Sequence, residues 1–519
     1  MKQSRPPKLA SRRRAPRHGL MLIIVLVTII FLALGAYSFT QLMVSEAYLT
    51  KLSGRQIQSR YLVDSGVDYA RLFMAQDEAS IQELGGLYNN PTYFQAISVG
   101  VDDANPENNG RFTIIAPNLD EQGNPGGFRY GLVDESTRAN LNVLVFVDSA
   151  YSGGGQQLLM ALPLMTEEIA DAILDFIDED EDVRPLGAES GYYAGLSPPY
   201  EAKNAPLDTV EELLLVRGVT PQLLFGLDSN HNGILDLEEE SSPDAADIDP
   251  SLLLGWASYL TLYSKEANTN REGLQRININ GEDLEQLSRD LRSHLDQRMT
   301  DFIIGYRQNG PYTGDDESTA GASGQLDFNL AAKATFTQVL DLIDARTTIK
   351  YSGSDETVVV DSPITSGNLG LYVPVIMEQL TTQQGAVIPG RINIMQAPRQ
   401  LLAGIPGMTE ELLENILKYR ETELDDPDGA DRNRQHETWI LVEGFTDLTT
   451  MRQMLPFICC GGDVYRAEVV GYYDDQIGNS RAEAILDRTL PIPGILFWRD
   501  KTHLQRGYSA DVLGTALQQ

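Results

Sequence analysis

Residues 228–239 place oxygen-bearing side chains at regular short intervals. Asp228, Asn230 and Asn232 stand at positions 1, 3 and 5, and Gly233 at 6 permits a sharp turn. Ile234 offers its carbonyl at 7, Leu235 is the apolar residue at 8, Asp236 stands at 9 and Glu239 at 12. This is the ligand spacing of an EF-hand loop, and hard oxygen ligands in that number suit Ca²⁺ better than Mg²⁺ or zinc. An acidic surface turn could copy the same spacing. Calcium binding by Asp228, Asn230, Asn232, Ile234, Asp236 and Glu239 is the expectation.

A second acidic stretch runs through Asp175, Asp178, Glu179, Asp180, Glu181 and Asp182. With Glu189 these carboxylates could form an oxygen cage, or the stretch could be a solvated loop. Other chemistry is sparse. The five histidines, His18, His231, His294, His436 and His503, have no metal-ligand spacing, and no nucleophile–base motif, phosphate loop or HExxH occurs. No enzymatic activity is expected. Cys459 and Cys460 are adjacent; they could be oxidised outside the cytoplasm, but such a bridge is strained, and two small buried residues is the simpler reading. Formal net charge is -34 over 519 residues, so the surface repels nucleic acid and attracts divalent cations.

The element that must carry all this lies near the start. Residues 20–40 form an apolar run without a charge, long enough to cross a bilayer once. Ahead of it stand Lys2, Arg5, Lys8, Arg12, Arg13, Arg14 and Arg17 and no acid. Positive flanks stay in the cytoplasm, which places everything after Thr40 outside it. Gly19 comes directly before the run, an order that resembles the type IV prepilin leader, which prepilin peptidase cuts after the glycine. Leu20 would then be the mature N-terminus; an uncut anchor is the plain alternative. The fifth mature residue, usually Glu in pilin-like families, is Ile24. A subunit lacking that buried carboxylate cannot pair with the terminal amine of a neighbour above it, yet it can begin a filament.

Apolar residues at helical spacing, from Leu42 through Leu49, Leu52, Ile57, Tyr61, Val67 and Ala70 to Phe73, predict that the membrane helix continues to about residue 75. Short β-type runs follow at 93–101, 111–115 and 128–133, and again at 464–473, 481–490 and 495–498. They predict one antiparallel sheet split by an insertion. Within the insertion three stretches share a start: Arg138-Ala139-Asn140, Arg276-Ile277-Asn278 and Arg391-Ile392-Asn393. Each leads to helical pairs, clearest at 397–403 and 409–420 around a turn at 404–408, in a helix-hairpin-helix pattern. Such hairpins can hold a DNA phosphate at a helix start. Here Glu410 and Glu411, and Glu167 and Glu168 in the first copy, repel phosphate, so packing modules are expected and no nucleic acid.

These motifs together resemble the general secretion pathway protein K family, the large minor pseudopilins of type II secretion systems. The likeness lies in the leader and helix, in 133–142, in Asp175-Phe176-Ile177-Asp178, Arg184-Pro185, Gly187-Ala188-Glu189 and Tyr192-Tyr193, in 206–221, in 391–420 and in 464–499. It implies an α+β fold, a pilin-like helix and sheet split by a large α-helical domain. The boundaries expected are a leader at 1–19, a membrane helix at 20–40, helix and first strands at 41–147, the insertion at 148–460 and closing strands at 461–519. Family members bind calcium near the acidic run, which points to Asp178, Asp180, Asp182 and Glu189. The resemblance further implies a filament-tip role with I-type and J-type minor pseudopilins, processing by prepilin peptidase and contact with the inner-membrane secretion platform. A calcium-dependent minor pilin for adhesion or DNA uptake is the competing reading. The loop at 228–239 lies in extra material that the family does not cover.

Overall fold

The computed structural model describes residues 18–100, 108–151, 153–246, 248–319, 324–353, 356–420, 434–474 and 477–514. The basic leader up to Arg17 lies outside them, while Gly19 and Leu20 fall in the first turn of a 57-residue helix, His18–Met74. At 1.5 Å per residue this helix is about 86 Å long. By length and composition it can cross a membrane once.

Only the far end of that helix packs on protein. Arg55, Ser59, Leu62, Val63, Val67, Ala70, Phe73 and Met74 are buried, while Leu42, Leu49, Ile57 and Tyr61 are exposed. Of the apolar residues that the spacing singled out, Val67, Ala70 and Phe73 pack and Leu42, Leu49, Ile57 and Tyr61 do not, and the packed stripe takes in two polar groups, Arg55 and Ser59. Distant strands account for both: the Ser59 and Ser480 hydroxyls share a 2.7 Å hydrogen bond, and the Arg55 guanidinium lies 3.9 Å over the Tyr473 ring. Close approach is purchased with glycine. A Cβ on Gly66 would sit 2.5 Å from Val469 Cγ1, and one on Gly471 2.5 Å from the Ser59 carbonyl.

The helix lies on a seven-stranded antiparallel sheet. Its main path runs Ile97–Val99, Gly110–Leu119, Val464–Tyr473, Asn479–Asp487, Gly494–Asp500, with Pro125–Tyr130 beside Gly110–Leu119 and Val133–Asp134 beside Val464–Tyr473. Thr113 opposes Val470 and Ile115 opposes Glu468, so strands some 350 residues apart are neighbours. One sheet is thus split by an inserted segment, as the two β-rich stretches predict. The run at 93–101 is only partly a strand; Pro91–Phe94 is a helical turn, because Pro91 sits at its first position.

The inserted segment has its own large core, from Ala139 to Ile458. It mixes helices with small sheets, including a hairpin of Arg346–Lys350 and Thr357–Asp361. The three related starts adopt one local geometry. Ala139-Asn140 pairs in parallel with Leu260-Thr261, Ile277-Asn278 with Leu380-Thr381, and Ile392-Asn393 with Ile458-Cys459. In each, the asparagine side chain accepts the N–H two residues on, at 3.1, 2.9 and 2.9 Å. Asn142 then exchanges two hydrogen bonds with the Leu207 backbone, and Asn280 does the same with Phe336. Cys459 and Cys460 are free thiols, and burial pushes both pKa values well up.

Candidate metal centres

The loop at 228–239 folds back on itself through its carboxylates. Asp228 Oδ1 accepts the Asn232 N–H at 3.0 Å and Oδ2 the Gly233 N–H at 2.8 Å, which a left-handed Gly233 (φ 73°) permits. Glu239, in the short helix Leu237–Glu240, returns to the start of the loop. Its Oε1 accepts from the Ser229 N–H at 2.9 Å, and its Oε2 from the Asp236 N–H at 3.0 Å. Asn230 and Asn232 both point an Nδ2 at Asp236 Oδ2, at 2.6 and 3.1 Å. Asp228, Asn232 and Glu239 are buried, and the Oδ1 of Asn230 is buried with no hydrogen-bond partner. Asp228 and Glu239 thus spend their oxygens on N–H groups of the loop, and the orphaned Asn230 Oδ1 is a hard oxygen left for a cation such as Ca²⁺. Ile234 lies in the same turn, its N–H held by Asn232 Oδ1 at 2.7 Å. Burial, followed by the charge of Glu239, raises the Asp228 carboxyl to about 6 against two backbone N–H groups that lower it.

Long-range contacts hold this loop on the sheet. Arg481, in strand Asn479–Asp487, donates to the Asn230 carbonyl at 2.7 Å and the His231 carbonyl at 2.9 Å, and Lys501 Nζ reaches the His231 carbonyl at 2.9 Å. Asn232 Nδ2 donates to the Gly507 carbonyl at 2.7 Å. His231 stacks on Phe225 with centroids 4.4 Å apart. Behind the loop, Glu468 bonds both Arg481 and Lys501, and Glu483 bonds Lys501 and Arg466. Burial alone would raise the Glu483 carboxyl, yet Arg466 and Lys501 outweigh it and hold it well below the usual range. Nothing in the local spacing of the sequence signals Arg481 or Lys501, since both act across more than 230 residues.

The acidic run forms a second cluster. Helix Glu167–Ile177, capped by Thr166, ends with Asp175 on its last turn and Asp178 as C-cap; Glu189 precedes Ser190–Tyr193. Asp175, Asp178 and Glu189 are buried, each with a carboxylate oxygen within 4.8 Å of the others. Among the described residues this is the one group of three or more such side chains so arranged. Both oxygens of Glu189 and Oδ1 of Asp178 lack any hydrogen-bond partner. Buried carboxylate oxygens without donors are costly unless a cation meets them, so the residues fit a divalent ion. Of the four acids expected here, the structure joins Asp178 and Glu189, adds Asp175, and leaves Asp180 and Asp182 exposed. The helix stops before Asp180, and its carboxylate turns to the Asp182 N–H at 2.8 Å instead of inward.

Burial, followed by Asp175 and Asp178, raises the Glu189 carboxyl from 4.5 to about 7. The folded chain therefore holds a proton there that the unfolded chain has lost. Without divalent ions, stability is expected to fall as pH rises from about 4.5 through 7. A bound cation needs the carboxylate, so its affinity should rise over the same window. Melting curves at pH 5.5 and 8, with chelator and with calcium, read both signs. A chelated protein more stable at pH 8, after Glu189→Gln controls, would contradict the assignment.

Together these observations define a chain with one long apolar helix, an antiparallel sheet on the end of that helix, and a large domain bearing a buried carboxylate cluster inserted between the sheet's strands. Residues 137–228 match the family described as type II secretion system (T2SS), protein K. The curated type II secretion system protein K of Aeromonas hydrophila is 44% identical over 57 residues, 11% of this chain and 17% of the relative. The matched stretch thus spans about a sixth of that relative's length. A solved chain in the crystal structure of the GspK-GspI-GspJ complex from the enterotoxigenic Escherichia coli type 2 secretion system aligns with 87% of this chain and 98% of its own length. Identity is 12% and the TM-score 0.40.

Proposed function

We propose that this chain is a minor pseudopilin of a type II secretion system, seated at the tip of a short periplasmic filament. The observation that carries the reading is the protein K segment, residues 137–228, set behind a single N-terminal helix able to cross the inner membrane. The basic leader favours a cytoplasmic N-terminus and a periplasmic head. Ile24, where pilin-like chains usually carry Glu, removes the pairing with a subunit above and so suits the first subunit. A bulky head suits a tip for a steric reason: repeated in every turn of a filament it would clash, and one copy at the end does not. In this role the chain nucleates assembly with I-type and J-type minor pseudopilins, is cut by prepilin peptidase between Gly19 and Leu20, and meets the inner-membrane platform. It performs no catalysis. Calcium at 228–239 and at the Asp175 cluster stiffens the head.

Co-expression of the full chain with the I-type and J-type subunits and prepilin peptidase tests this. The expected result is a detergent-stable complex containing all three, with the large subunit starting at Leu20. A mature chain that elutes alone in that experiment overturns the tip assignment.

A further inference from the structure

Arg184 points into the same carboxylates that a divalent cation would take. Its Nη1 lies 2.9 Å from Asp175 Oδ1 and 2.5 Å from Asp178 Oδ2, and its Nη2 3.6 Å from Asp148 Oδ2. Its backbone N–H also donates to Asp175 Oδ2 at 3.2 Å. Yet neither Glu189 oxygen nor Asp178 Oδ1 has a donor, although Glu189 is only 3% exposed. The guanidinium covers one side of the cluster and leaves the other bare. Gly187 keeps that space tight, since a Cβ there would lie 1.9 Å from Asp175 Oδ2.

We propose that Arg184 is the internal counter-ion of this site, sharing Asp175 and Asp178 with the divalent cation and thereby lowering the cation's affinity. The proposal rests on the reading of Asp175, Asp178 and Glu189 as a cation site. Without the ion, Arg184 holds Asp148, Asp175 and Asp178 together against their mutual repulsion. With the ion, the guanidinium remains charged at any working pH and repels it from a few ångströms away. Arg184 therefore acts with opposite signs on the two states: it stabilises the ion-free fold and weakens the ion-bound one. A purely structural arginine would not do so, because its loss would loosen the cluster and weaken both.

Calcium titration calorimetry on the full chain in detergent, stripped with chelator, separates these outcomes. All samples carry Glu239→Gln, so that the loop at 228–239 does not contribute. Arg184→Gln is expected to bind calcium about tenfold tighter and to melt at lower temperature in chelator. Arg184→Lys, a point charge that cannot bridge three carboxylates, should fall between, and it carries the test if the glutamine variant does not fold. Calcium affinity that is unchanged or weaker in these variants overturns the counter-ion role. Failure of the underlying site is distinct: calcium binding would then be absent in the Glu239→Gln parent, or unaffected by adding Glu189→Gln.

Discussion

Replacing Arg481 by alanine is expected to destabilise the folded head by about 3 kcal/mol. The side chain is fully buried and makes three contacts in different directions: the Glu468 carboxylate, the Asn230 carbonyl and the His231 carbonyl. Its loss would leave Glu468 to Lys501 alone and orphan the Asn230 carbonyl on the loop. Breaking one partner of a buried ion network costs far more than the pair contributes, because the remaining charge stays desolvated. Arg481→Lys should recover part of the loss, since one ammonium cannot reach all three acceptors. Chemical denaturation of the full chain in detergent provides the measurement, and a loss below about 1 kcal/mol would show that the seam between insertion and sheet is held elsewhere.

The second large effect concerns calcium. If the loop at 228–239 and the Asp175 cluster bind it, free calcium at about a hundred times the dissociation constant adds about 2.7 kcal/mol per site to folding stability. Chelation should lower the melting temperature. Glu239→Gln, which removes the position-12 carboxylate from Ser229 and Asp236, should abolish the loop's share, and Glu189→Gln the cluster's share. The double variant should melt at one temperature with or without calcium. Because Asn232 also holds the Gly507 carbonyl, loss of the loop's ion should loosen the C-terminal segment. Faster amide exchange near residues 503–513 reports that loosening. A wild-type chain whose melting ignores millimolar calcium would dismiss both sites.

What the sequence determined by itself is local. A charge-free run of 21 residues must be a helix in lipid, because nothing else satisfies its backbone there. Alternating β-rich runs at 111–115, 464–473 and 495–498 announced strands that the structure contains, and Gly233 announced the turn of the loop. The repeated Arg-x-Asn starts announced a shared unit, and the structure gives them one recurring turn in which each asparagine accepts from its own backbone two residues on.

Tertiary structure decided the rest, in each case through contacts that spacing cannot encode. The helix packs Arg55 and Ser59 in place of Ile57 and Tyr61 because strand Asn479–Asp487 offers Ser480 and Tyr473 lies opposite. In the acidic run, composition offered six carboxylates, but the end of a helix at Ile177 and the return of the chain at Glu189 selected Asp175 and Asp178 and sent Asp180 and Asp182 to solvent. Arg481 meets Asn230 only because strands from the two ends of the chain pair across the insertion. Periodicity reports which face of an element is apolar; which charges converge depends on where distant elements dock, and that is set by the packing of the whole chain.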